Sequence, residues 1–218
     1  MLRRLCLPNR PLHVEAALSH LKSNDPILAR VIDDVGPYKL KPHRNGFGML
    51  VRSILSQQIS MAAARSIRMR LETLAGTKRL TPQIIGRFDI EQLRSVGISP
   101  QKAGYLVDLA RKSLDGTIRF GTLSRKSDEE IIETLTQVKG IGVWTAQMFL
   151  IFSAGRLDVF PHDDLGVRVA IKELYRLRNL PDKTKAHRIA RPWRPYASVA
   201  SWYCWRYLDL KKRIAAGA

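Results

Sequence analysis

Apolar residues recur at three- and four-residue spacing along most of this chain, the period of helices with one buried face. Residues 12–21 place Val14, Ala17, Leu18 and Leu21 on one side. From Asn45 to Gln58 the inward positions are Phe47, Leu50, Val51, Ile54 and Leu55. Polar residues punctuate the pattern where helices should begin. Asp25-Pro26 reads as N-cap and first helical position of a helix to about Asp34. Ser60 caps a helix over 61–74, Thr81-Pro82 and Asp89 open two short ones, and a longer one runs from Pro100 to Leu114. Ser127 with Glu130 forms a capping box for a helix ending at Lys139. Further helices are expected over 165–177, 184–190 and 195–210, the last with Tyr196, Val199, Trp202, Tyr203 and Trp205 on or near its buried side. No alternating run bounded by turns survives beside these patterns, so the expected class is all-α.

One stretch organises the rest. Residues 135–166 read LTQVKGIGVWTAQMFLIFSAGRLDVFPHDDLG. Gly140 and Gly142 sit between two helices, where glycine permits positive φ and close approach of backbone to a partner. The second helix opens with N–H groups that attract anions, phosphate included. Lys139 adds positive charge, and Ile141 between the glycines reads as an apolar pin. A bare G-x-G would favour an ordinary helix-turn-helix corner; Lys139, Ile141 and the Trp144-Thr145-Ala146 continuation favour DNA-backbone binding. Residues 93–103 echo this stretch faintly but carry a single glycine.

Composition narrows the partner. The 218 residues carry 37 Lys+Arg against 19 Asp+Glu, a net charge of +18. Such an excess points to a polyanion, nucleic acid before membrane. Two cysteines, Cys6 and Cys204, are too few for a disulfide framework or a four-thiolate cluster. No apolar run is long enough for a membrane span, and Met1 to Arg10, with Arg3 and Arg4, lacks a signal-peptide core. An intracellular protein is expected. Lys39, Lys41, His43 and Arg44 form a basic loop that suits DNA or solvent equally.

Two further groups carry candidate chemistry. Gln57 and Gln58 lie at a junction between helices. A glutamine both donates and accepts, so it can enter a duplex and bond the base orphaned when a nucleotide is expelled. A polar interhelix loop explains the pair equally well. Asp163 and Asp164 follow Pro161 and precede the helix at 165. Capping that helix is the commonest fate of such a pair, and a helix N-terminus suits a negative charge. The alternative is chemistry: a carboxylate beside a sugar stabilises the oxocarbenium-like charge that develops as an N-glycosidic bond breaks, and orients the attacking water. Glycosidases with an oxygen leaving group need a second carboxyl as acid. Here one position is plausible.

The residues VKGIGVWTA (138–146), DVFPHDD (158–164), SILSQQIS (53–60) and PWRPYASVASWYCWR (192–206) together resemble the helix-hairpin-helix DNA glycosylases. Within that superfamily the chain is most similar to the alkylation-repair branch, 3-methyladenine DNA glycosylase II. The resemblance covers most of the chain from about residue 45. It implies Asp164 as the catalytic carboxylate and Gln58, with Gln57 alongside, as the wedge. Lys139, Gly140, Gly142 and Thr145 would grip the DNA backbone. Trp144 and Trp202 match aromatic positions of the base pocket, where a cationic base gains cation–π attraction. Taken alone, each reads as a core tryptophan. Met148 stands where some relatives have a pocket tyrosine.

Bifunctional relatives carry a Schiff-base lysine where this chain has Trp144, so no lyase activity is implied. The iron–sulfur cysteines of the endonuclease III branch are also missing. No cofactor or metal is implied, a monovalent cation at the hairpin aside. The expected architecture is two helical lobes. Residues 1–43 would pack with 155–218, and 44–154 would carry the hairpin, with an active-site cleft between them. The branch's best-known member has an extra N-terminal β-domain, and this chain is expected to be too short at that end to contain one. The expected partner is double-stranded DNA with alkylated bases such as 3-methyladenine and 7-methylguanine, bound by a monomer. The rivals are a non-catalytic DNA-binding module, or a glycosylase for uracil, a mismatch or an oxidised base.

Overall fold

A computed structural model of the chain describes residues 11–217. Cys6 and the arginines at 3 and 4 lie outside the described residues. Twelve α-helices and two 3-10 turns make up the described fold, with no strand among them. In chain order the helices are α1 (Pro11–Asn24), α2 (Pro26–Val35), α3 (Gly46–Ser56), α4 (Met61–Leu74), α5 (Pro82–Ile85) and α6 (Ile90–Ser95). They continue as α7 (Pro100–Leu114), α8 (Asp128–Thr136), α9 (Val143–Phe152), α10 (Leu165–Leu174), α11 (Lys183–Ala190) and α12 (Ala197–Ala215). The 3-10 turns are Leu123–Arg125 and Arg191–Trp193.

The chain divides into two compact units, residues 1–42 with 155–218 and residues 43–154. In the first unit α12 packs on α2 and α10, and α1 packs on α2. Ala17, Leu21, Leu28, Val31, Ala170, Ile171 and Tyr203 are buried at their junction. Buried Asp25 ties the unit together. Its Oδ1 caps α2 through the amides of Ile27 and Leu28, both 3.0 Å away. Its Oδ2 accepts from Trp193 Nε1 at 2.8 Å and from the Tyr175 hydroxyl. Burying this carboxylate is tolerable because four donors surround it. Cys204 is a buried free thiol, its pKa driven up by desolvation first and then by Asp25 and Asp164.

In the second unit α3 is central and packs on α4, α7 and α9, while α7 also supports α5 and α6. All five α3 positions expected to face inward are buried. Phe47, Phe120 and Phe149 form an aromatic chain at 6.0 and 6.1 Å centroid spacing.

Most helix starts fall where the caps placed them, and several other helix bounds shift. Both halves of the Ser127–Glu130 capping box are present. Helix α10 stops at Leu174, short of the expected Leu177, because Tyr175 turns to bond Asp25 and Arg176 adopts φ +52°. Helix α12 begins at Ala197 rather than Pro195 and runs past Leu210. Its first amides are taken by the loop before Asp164: Ser198 N–H donates to Leu157 O at 2.9 Å.

Candidate active site and nucleic-acid interface

The hairpin lies in the second unit. Helix α8 ends at Thr136, before the expected Lys139. The Lys139 amide donates instead to Oδ2 of Asp108 on α7, at 2.9 Å. Burial opposes ionisation of Asp108, but the Lys139 amide, Arg111 and Lys112 outweigh it and hold the carboxyl at about 2. Gly140 takes φ +79°, and a Cβ there would stand 2.1 Å from the ring of Tyr105 on α7. Both the backbone and the ring demand glycine at 140.

Gly142 differs, which corrects the expectation that both glycines serve positive φ. Its φ of −95° and ψ of 178° suit any residue, and a Cβ would meet nothing within 4 Å. It is the N-cap of α9 with no side-chain cap. The missing side chain leaves the first turn of α9 open, as anion binding requires. Lys139 is exposed beside it, and Ile141 is buried as the pin. Thr145 needs correction too. It is 3% exposed, so its side chain is not a surface contact. Only its amide, third in α9, belongs to the open turn.

The two glutamines part company. Gln57 Nε2 donates to Gly140 O at 2.8 Å, so its amide is committed to the hairpin rather than held out as a wedge. Gln58 is exposed and adopts φ +57°, a left-handed conformation that costs a non-glycine residue about 1 kcal/mol or more. Lys102 on α7 holds the chain there, donating from Nζ to Leu55 O at 2.9 Å and Gln57 O at 2.6 Å.

On α9, Trp144, Gln147 and Met148 share one face by helical spacing. Trp144 is 41% exposed at the open end, while Met148 is buried a turn below. Gln147 is buried, and its Oε1 has no hydrogen-bond partner among the described residues.

The first unit holds Asp164. The loop before it is fixed at several points. Asp158 accepts from Arg194 Nε at 3.0 Å, Val159 N–H donates to Ser198 Oγ at 2.9 Å, and Phe160 meets Trp193 edge-on at 5.7 Å. Asp164 itself caps α10: Oδ1 accepts the Val167 amide at 2.8 Å. The same oxygen accepts Trp205 Nε1 at 2.8 Å. Capping and a fixed carboxylate are therefore one arrangement, not alternatives. Gly166 makes room, since a Cβ there would stand 3.1 Å from both Asp164 Oδ1 and the Trp205 ring. Asp163 is exposed and pairs with His162 at 3.2 Å. Trp202 is 7% exposed, edge-on to Tyr38 and Tyr203 at 4.9 Å each, with the Arg206 guanidinium 5.7 Å over its ring. Of the two tryptophans expected to stack on a base, only Trp144 presents much of its ring to solvent.

Sequence reasoning gave no site role to Trp205, Lys102, Tyr105, Asp108 or Gln147. Only Gln147 left a local signal, a lone amide in an otherwise apolar helix.

Comparison with known proteins settles the family. The model described as "HhH-GPD superfamily base excision DNA repair protein" matches residues 51–195. The chain belongs to the HhH-GPD superfamily. Among HhH-GPD relatives, DNA-3-methyladenine glycosylase 1 of Schizosaccharomyces pombe is 34% identical over 194 residues, 88% of this chain and 85% of the relative. The alkylbase DNA glycosidase-like protein mag2 of the same yeast is 32% identical, over 90% of this chain and 95% of its own length. A solved HhH-GPD structure, S. pombe Mag1 in complex with abasic DNA, superposes with TM-score 0.78 at 35% identity. It covers 88% of this chain and 95% of its own.

Proposed function

We propose that this HhH-GPD chain is a monofunctional DNA glycosylase that hydrolyses the N-glycosidic bond of alkylated purines, 3-methyladenine and 7-methylguanine among them. The observation that carries this is Asp164, an N-cap carboxylate whose orientation is fixed by the Val167 amide and the Trp205 indole. A carboxylate held by donors in advance needs no reorganisation as positive charge grows on the deoxyribose. It also orients the water that attacks C1′. A methylated purine is cationic and leaves neutral, so one carboxylate suffices.

The other groups divide the remaining work. The open first turn of α9 with Lys139 holds a backbone phosphate. Gln58 enters the duplex where the base has left, offsetting part of the few kcal/mol that extrusion costs. Trp144 offers an indole face to the cationic base, worth roughly 0.5–2 kcal/mol. Tryptophan at 144 forms no Schiff base, so the sugar–phosphate strand stays intact.

Chromatography of products from duplex DNA treated with dimethyl sulfate tests the reading. The expected products are free 3-methyladenine and 7-methylguanine with no strand nick until alkali is added. Release of uracil or 8-oxoguanine instead, from matched substrates, moves the substrate class. Salt-sensitive DNA binding without any release leaves the non-catalytic module.

A further inference from the structure

We propose that Gln57 is a strap that couples the Gln58 loop to the hairpin, so that the hairpin's grip on a phosphate sets which base step Gln58 enters. The inference rests on Gln58 being the inserted residue, as proposed above.

The two loops are far apart in sequence yet joined at one point. Gln57 Nε2 reaches the Gly140 carbonyl at 2.8 Å, across 83 residues of chain. Helix α7 then fixes both partners from one side. Lys102 holds the carbonyls of Leu55 and Gln57 at 2.9 and 2.6 Å. Asp108, six residues on, holds the Lys139 amide at 2.9 Å. Between them Tyr105 fills the space left by the absent Cβ of Gly140, and Gln101 Nε2 donates to its hydroxyl at 2.6 Å. Residues 139 and 140 are thus bonded at an amide and a carbonyl, and Gln57 at both its backbone carbonyl and its side chain.

The consequence is a fixed offset. Gln58 follows Gln57 directly and stands exposed with a left-handed backbone. The open end of α9 follows Gly140 by two residues. A duplex held at the second meets the first at one distance. Without the strap each loop contacts DNA, but the offset between contacts spreads over several values. Fewer encounters then place Gln58 at the step being opened. Gln57 is a positioning residue on this account, acting through Gln58.

A double-mutant cycle tests it, with Gln57→Ala, Gln58→Ala and the pair. Affinity for a duplex carrying a tetrahydrofuran abasic-site analogue needs no catalysis. Each single variant is expected to bind it about tenfold more weakly, the worth of one good hydrogen bond, and the pair no worse than Gln58→Ala alone. Affinity for the undamaged duplex, which has no gap to fill, gives the reference against which each loss is read. Gln57→Met keeps the length but loses the donor, and should match Gln57→Ala. Lys102→Met gives a second route to the same loop and should also add nothing to Gln58→Ala. Losses that add in the cycle overturn the strap, as does Gln58→Ala without effect. Absence of base release by the wild type overturns the glycosylase reading and leaves the binding cycle to decide the strap.

Discussion

The indole N–H of Trp205 donates to Oδ1 of Asp164 at 2.8 Å, on the oxygen that also caps α10. One donor comes from the helix the carboxylate begins, the other from α12. A rotation of the carboxylate would break both at once. Trp205→Phe keeps an aromatic ring and removes the donor. Single-turnover base release should fall about tenfold, the worth of a hydrogen bond to a charged group, with the thermal midpoint lowered by a few degrees at most. Gly166→Ala should slow release in the same sense. Its Cβ would press on Asp164 and Trp205 at 3.1 Å, against the usual gain in helix propensity. Unchanged rates in both variants would remove Trp205 from the account.

The two hairpin glycines should separate cleanly. Gly140→Ala places a Cβ 2.1 Å from Tyr105 at φ +79°, so it should destabilise the fold by more than about 1 kcal/mol. Gly142→Ala has open space and an ordinary φ. It should leave the melting temperature where it is and weaken duplex binding, because the added methyl stands where a phosphate would approach. Calorimetry and a binding titration on each variant read the two effects. Wild-type DNA affinity in Gly142→Ala would contradict the phosphate role of the α9 end.

Gln147 carries a buried carbonyl oxygen without a hydrogen-bond partner among the described residues. Such an orphan costs about 1–3 kcal/mol, and an apolar side chain of similar shape avoids it. Gln147→Met should therefore raise the thermal midpoint by about 3 °C, as a gain near 1 kcal/mol does in a domain of this size. A lower midpoint would mean the amide is satisfied in solution.

Asp108 gives the second unit a pH dependence of known sign. Its folded-state value of about 2 lies below the ordinary 3.8. A depressed carboxyl contributes stability that is complete above its unfolded value and is lost as pH falls toward the folded one. Between roughly pH 4 and pH 2 the wild type should lose melting temperature that Asp108→Asn lacks from the outset. Parallel profiles for the two proteins would contradict the assignment.

These residues also mark what could be seen in the chain before its fold. Periodicity and caps placed the α3 core, the Asp25-Pro26 start of α2 and the Ser127–Glu130 box, because each depends on neighbours within a few residues. Asp164 was visible as an aspartate after proline before a helix. That Trp205 holds it was not, since 41 residues separate the two. The early end of α8 has the same origin: the Lys139 amide leaves the helix for Asp108, 31 residues away. Gln57 and Gln58 look alike in sequence. The Gly140 carbonyl takes one amide and leaves the other exposed, a difference no local pattern shows. Polar contacts between elements have no period, and so the partners of a site stay hidden longer than its core.

The most direct test is Asp164→Asn on duplex DNA methylated with dimethyl sulfate, with enzyme in excess. Asparagine caps a helix as well as aspartate does, so the fold is kept while the charge is removed. Base release should fall by about a hundredfold or more, with affinity for an abasic-analogue duplex within about threefold of wild type. Release at the wild-type rate would contradict a catalytic Asp164.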